Sequence, residues 1–319
     1  MKFSIFLLFS ICLGIFAASS TYLLFAVSFA HAESISLAID PPIFQISATP
    51  PANILSPFTI ENRGDLPLDL KIEFKPFIPS DREDGQVRFI KESEANLADP
   101  LFFQRISILN ETGEAIKDLK LEGKQKKNLN LSINLPKDSL SSDYYFSIVF
   151  LSSKTSTNNT SSSENLFGLA SNVLLSVGAG KVTGEIAEFS APVFLEKGPV
   201  PFTLRIKNTS NHFITPKGEI LIKNVFGQTI GRVDLQETNI LAGSVRMIPS
   251  SDSENLTANW PQNLILGPYK ASLSVALSDT GPLFRRNVLF FAFPLQILGG
   301  IFIGLIFLVF IAIKVKSKV

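Results

Sequence analysis

The sequence predicts an all-β protein: two tandem immunoglobulin-like β-sandwiches, preceded by an N-terminal signal peptide and followed by one C-terminal transmembrane helix. Three observations predict it. Apolar and polar residues alternate with period two over several separate stretches, the mark of strands with one buried face. A short order of sequence signals occurs twice, once in each half of the chain. No helical period competes with the alternation outside the two apolar ends.

The N-terminal end reads as an export signal over 1–32. Lys2 supplies a short positive region, a long apolar stretch follows, and Ala30-His31-Ala32 gives the small-x-small pattern of a cleavage site. Cleavage after Ala32, with Ala30 and Ala32 as the small residues of the site, leaves Glu33 as the first mature residue. The apolar stretch is longer than usual, so an uncleaved anchor is the alternative, and both readings export the middle of the chain.

The first sandwich is placed at 33–178. Leu68, Leu70, Ile72 and Phe74 alternate with Asp69, Lys71, Glu73 and Lys75, and Leu129, Leu131, Ile133 and Leu135 alternate with Asn128, Asn130, Ser132 and Asn134. Such alternation is typical of antiparallel sheets. The Ser, Thr and Asn run at 152–163 cannot bury a core and reads as a hairpin loop between strands at 144–151 and 168–177. Residues 79–101 read as a solvated acidic excursion, with Asp81, Glu83, Asp84, Glu92, Glu94 and Asp99.

The second sandwich is placed at 179–294, with a boundary near Gly178-Ala179-Gly180-Lys181. Phe202, Leu204 and Ile206 alternate with polar neighbours, as do Tyr269, Ala271, Leu273, Val275 and Leu277. The internal repeat supports the division. Pro57-Phe58-Thr59-Ile60 leads to Asn62 and a turn, and Pro201-Phe202-Thr203-Leu204 leads to Asn208 and a turn. Leu135-Pro136 precedes Tyr144, and Trp260-Pro261 precedes Tyr269, an order that fits the corner where a tyrosine bonds back to the chain. Ser278–Pro282 reads as the final hairpin turn rather than a sortase signal.

The C-terminal end, 295–313, is apolar apart from Gln296 and is long enough to cross a bilayer as a helix. Lys314, Lys316 and Lys318 mark 314–319 as a cytoplasmic tail. The expected location is the plasma membrane, single-pass, with a large extracytoplasmic N-terminal region.

Composition narrows the chemistry. The chain has 319 residues with 29 basic and 28 acidic side chains, and four of its lysines lie in the two ends. The exported part is therefore slightly acidic and gives no reason to expect nucleic acid. Its one cysteine, Cys12, lies in the signal, which excludes thiol catalysis and cysteine zinc sites from the mature chain. His212 has no histidine or cysteine companion and reads as a surface turn residue. Asp81-Arg82-Glu83-Asp84-Gly85 has the wrong spacing for a calcium loop. Gly178–Gly184 lacks the serine or threonine of a phosphate loop. No catalytic, cofactor-binding or metal-ligating residue is read, and no cofactor is expected. Lys117, Lys120, Lys124, Lys126 and Lys127 read as a charged strand face, with contact to anionic wall polymer as the other reading.

Ile39-Asp40-Pro41-Pro42-Ile43-Phe44, the run through Asn62, Leu135-Pro136 and Tyr144-Tyr145-Phe146 resemble the first domain of the bacterial WxL-interacting surface proteins. Asn208, Gly227, Trp260 and Leu266-Gly267-Pro268-Tyr269 resemble that family's second domain. The resemblance implies a membrane-anchored, non-catalytic surface protein whose first domain binds peptidoglycan or a wall-associated partner and whose second contacts other surface proteins or a host. A chaperone-like protein that uses an open sheet edge on exported subunits is the alternative.

Overall fold

The computed structural model describes residues 36–95, 99–154, 165–279 and 281–316. The signal segment, with Ala30 and Ala32, lies outside the described residues, as does most of the Ser/Thr/Asn loop. The first sandwich comprises β1 (Leu37–Asp40), β2 (Ile43–Ala48), β3 (Ala52–Asn62), β4 (Leu68–Pro79), β5 (Val87–Phe89), β6 (Ile106–Leu109), β7 (Ala115–Ile116), β8 (Asp118–Leu121), β9 (Lys126–Leu135), β10 (Ser142–Lys154) and β11 (Asn165–Val177). One sheet runs β1-β3-β9-β6-β7. The other runs β2-β11-β10-β4, with β5 and β8 both on β4.

The second comprises β12 (Gly184–Ser190), β13 (Phe194–Leu195), β14 (Val200–Asn208), β15 (Lys217–Lys223), β16 (Thr229–Asp234), β17 (Val245–Met247), β18 (Ala258–Trp260), β19 (Gly267–Ala276) and β20 (Leu283–Ala292). Its sheets are β12-β14-β17, with β18 also on β14, and β13-β20-β19-β15-β16. Both halves share one device. The opening strand divides between the two sheets: β1 pairs with β3 while β2 lies parallel to β11, and β12 pairs with β14 while β13 lies parallel to β20. Pro41 and Pro42 lack the N–H groups a ladder needs, so the chain leaves one sheet there and joins the other.

The alternation in sequence becomes the two cores. Leu129, Leu131, Ile133 and Leu135 are buried in β9 against Phe146, Ile148 and Phe150 of β10. Phe202, Leu204 and Ile206 of β14 face Leu273 and Val275 of β19. Tyr269 meets the corner expectation, since its Oη donates to the Leu266 carbonyl at 3.0 Å. Tyr144 is buried instead by stacking on Phe102, their ring centroids 4.1 Å apart.

Two sequence expectations need correction. The first part of the 79–101 excursion is not free: β4 extends to Pro79, β5 pairs back on it, and the turn between them docks on the second sandwich. His212 is not a surface turn residue; it is buried. In both cases the partner is distant in sequence, so local composition carries no trace of it.

A helix, α1 (Leu295–Lys316), follows β20. Among the described residues no helix is long and apolar enough to cross a membrane. Within α1 the described side chains run unbroken only from Ile303 to Val309.

Candidate functional site

Asn62 ends β3 and Asn208 ends β14, and both are fully buried. The Asn62 amide donates to the carbonyls of Leu66 (2.7 Å) and Glu122 (3.1 Å), and its Oδ1 accepts from the Gly64 N–H. The Asn208 amide donates to the carbonyls of His212 (2.8 Å) and Ile240 (2.9 Å), and its Oδ1 accepts from the Ser210 N–H. Each asparagine thus bridges backbone donors and acceptors of its turn with one short side chain. In the second half that turn delivers His212 to the first sandwich.

There His212 Nδ1 lies 2.6 Å from Asp143 Oδ1 on β10 and 2.6 Å from Ser176 Oγ on β11. The other Asp143 oxygen accepts from the Phe213 N–H and from the Tyr145 hydroxyl. That hydroxyl also accepts from the Ala242 N–H at 3.1 Å. Burial, then the neighbouring Asp143 carboxylate, push the Tyr145 phenol well above its ordinary value. Serine, histidine and aspartate meet here, but both oxygens address the same ring nitrogen. A nucleophilic relay needs serine and carboxylate on opposite nitrogens. Nε2 is turned against Gly180, where an added Cβ would collide with the ring. The cluster is an interdomain clamp.

Around the clamp the two sandwiches meet through apolar and charged contacts. Phe77 and Leu174 of the first pack on Leu241 of the second, beside Tyr145 and Phe213. Both Glu83 carboxylate oxygens bond the Arg205 guanidinium, and the Glu83 carbonyl accepts from the Met247 N–H at 2.8 Å. Gly85 is in the left-handed region (φ 82°), and the Arg246 guanidinium lies where its Cβ would be. A cavity of about 270 Å³ opens between the domains, lined by Gln45, Phe77, Asn172, Leu174, Thr238 and Arg246 among others. Burial lowers the Arg246 pKa from its ordinary value, and its Nη1 donates to the Asn239 carbonyl. Thr238 Oγ1 is buried without a hydrogen-bond partner among the described residues.

Beside this junction lies an open sheet edge. One side of β11 pairs with β10 along its whole length. The other side pairs with β2 only from Asn172 to Val177. Among the described residues no strand covers that side over Asn165–Ser171. At its C-terminal end the uncovered part is tied to the proline corner, where Ser171 Oγ donates to the Pro41 carbonyl and the Asn172 N–H to the Pro42 carbonyl. Phe167 packs against the first core, while Gly168 and Ala170 are exposed on the opposite face. Unpaired backbone groups next to partly covered apolar side chains are what an added strand uses.

The basic run of the first domain is spread over ion pairs and carbonyl contacts: Lys120 with Glu122, Lys124 with Asp65, and Lys127 with the Lys120 carbonyl. Asp81–Gly85 belongs to the docked turn, and among the described residues no group of His, Cys, Asp or Glu is placed to hold a metal. Sequence reasoning missed Asp143, Tyr145 and Ser176. Asp143 and Ser176 break apolar strands, which is a weak signal; nothing in the sequence joins them to His212.

No family model matches the chain, and no curated relative does. Among solved structures the chain is similar to a class 5 fimbrial chaperone, CfaA, with 12% identity, 81% of this chain and 100% of that one covered, and a TM-score of 0.35. It is similar to the Escherichia coli chaperone DraB, with 12% identity, 80% and 98% covered, and a TM-score of 0.36. A PapD-like domain of human CEP192 aligns at 13% identity over 47% of this chain and 91% of its own length, with a TM-score of 0.28. Scores this low say nothing about function.

Proposed function

We propose that this chain is a membrane-tethered, extracytoplasmic binding protein that takes an extended segment of another exported protein by strand addition, in the manner of an assembly chaperone. The observation that carries the reading is the edge of β11 over 165–171, which no strand covers among the described residues. Exposed edges are normally blunted by charge, proline or a covering loop. The described edge residues Phe167, Gly168, Leu169, Ala170 and Ser171 carry neither charge nor proline. The clamp fixes the second sandwich beside this edge, so a partner meets one preset shape. Tethering rests on the sequence of the C-terminal end, where 295–313 contains no charged residue and lysines follow at 314, 316 and 318.

Hydrogen exchange on the full chain tests the reading, alone and with the exported proteins of its own cell. Protection gained over Phe167–Ser171, beyond any change in the paired Asn172–Val177, supports strand addition. Exchange at Phe167–Ser171 that stays unchanged in every mixture overturns it. Contact with peptidoglycan, which the family resemblance implies, is a separate proposal; co-sedimentation of the full chain with sacculi tests it.

A further inference from the structure

The end of the second sandwich from which α1 departs carries a set of exposed apolar side chains, brought there by separate loops. Register places them together. Gly267 pairs with Ala292 and Lys270 pairs with Lys223, so the starts of β19 and α1 share one end with the β15–β16 turn. Phe194 pairs with Phe291, the Phe291 N–H donates to the Val193 carbonyl, and the Phe293 N–H donates to the Leu195 carbonyl. The Gly198 N–H bonds the Asn263 carbonyl, which ties the Leu264 loop to the same end. Phe226 is 82% exposed, Val193 79%, Leu264 65% and Leu266 63%. Three loops with large apolar tips at one end exceed the scatter of single exposed residues a surface normally shows.

A comparison within the molecule shows that the turn geometry does not demand these tips. Asn110 Oδ1 accepts from the N–H groups of Thr112 and Glu114 across a turn with Gly113 in the left-handed region. Asn224 Oδ1 accepts from those of Phe226 and Gln228 in the same way, across Gly227. The first turn presents Glu111 and Thr112; the second, near α1, presents Val225 and Phe226. Charge agrees. Lys197, Lys223 and Lys270 surround this end against Glu196, and among the described residues none of the three lysines forms an ion pair.

We propose that this end of the second sandwich rests on the bilayer: Val193, Val225, Phe226, Leu264 and Leu266 enter the headgroup region, and the three lysines meet lipid phosphates. The occupant follows from continuity, because the apolar helix leaves from the same end, and from the excess of positive charge. The proposal rests on the tethered reading of α1. Its consequence is that the base of the protein is held against the membrane instead of swinging on the helix.

Fluorescence quenching tests it on the full chain in vesicles of phosphatidylcholine and phosphatidylglycerol, in a Cys12→Ser background. An environment-sensitive label is placed through Val225→Cys or Leu264→Cys, through Leu305→Cys within α1, and through Thr112→Cys on the matched turn of the first domain. Nitroxide lipids are expected to quench the Val225→Cys and Leu264→Cys labels several-fold more than the Thr112→Cys label. Adding Phe226→Asp is expected to reduce quenching at Leu264→Cys. Quenching at Leu305→Cys with none at Val225→Cys and Leu264→Cys overturns the docking and leaves the span intact. No quenching at Leu305→Cys overturns the span and the docking with it.

Discussion

His212 Nδ1 of the second sandwich stands 2.6 Å from Asp143 Oδ1 of the first, with the aspartate side chain 3% exposed. Three groups converge on that carboxylate: the imidazole, the Tyr145 hydroxyl and the Phe213 N–H. Asp143→Ala removes the acceptor of the Tyr145 hydroxyl and the Phe213 N–H inside a closed contact and leaves the imidazole only Ser176 Oγ. The expected cost is about 3 kcal/mol, since each buried donor left unpaired costs about 1–3 kcal/mol. Because the clamp couples the two sandwiches, calorimetry is expected to show the wild type melting in one transition and Asp143→Ala in two. A variant that still melts in one transition at an unchanged temperature refutes the coupling.

Tyr145 links stability to alkaline pH. Its pKa is raised in the folded protein, first by burial and then by Asp143. The folded state therefore holds a proton that the unfolded state loses near pH 10, and stability falls as pH rises above that value. Tyr145→Phe is expected to lose about 1 kcal/mol at neutral pH, the worth of its hydrogen bond, and to show a shallower decline above pH 10. Urea unfolding at pH 8 and at pH 10.5 measures both, and parallel declines for the two proteins would exclude Tyr145 as the source.

Asn62 and Asn208 make the same peg in the two halves. Asn62→Ala and Asn208→Ala are each expected to cost about 1–3 kcal/mol, because each removes two side-chain donors to turn carbonyls and the acceptor of a turn N–H. Thermal unfolding of the single variants measures the cost. Asn208→Ala is also expected to loosen the clamp, since Asn208 holds the His212 carbonyl; Asn62→Ala is expected to leave it intact. Hydrogen exchange at Phe213 distinguishes them.

Gly231 lies on β16 where an added Cβ would collide with Trp260 Nε1. Gly231→Ala forces the indole out of its site, and overpacking of this kind costs about 1–3 kcal/mol. Trp260 is the only tryptophan in the chain, so a red shift of intrinsic emission reports the displacement directly. An unshifted spectrum would show that the sheet yields instead.

Much of the architecture was legible because strands write their burial locally. The alternations around Leu68–Phe74, Leu129–Leu135, Phe202–Ile206 and Tyr269–Val275 are the buried faces of β4, β9, β14 and β19. The repeated asparagine marked two equivalent turns, because only a short amide side chain both accepts and donates within its own turn. His212, read alone, gave no sign of its place, and neither did Glu83. Their partners Asp143 and Arg205 are far along the chain, and period and composition carry no information about pairs at that separation.

The sequence by itself determined an all-β chain with a repeated pattern, an apolar stretch at each end, and the turns at which its strands reverse. Only the tertiary structure decided that the two sandwiches are locked by Asp143, His212 and Tyr145, that β2 covers only part of β11, and that the apolar loop tips gather where α1 begins. The physical reason is that a strand's burial follows from its own side chains, whereas a clamp, an uncovered edge and a surface patch depend on which distant segments the fold brings together.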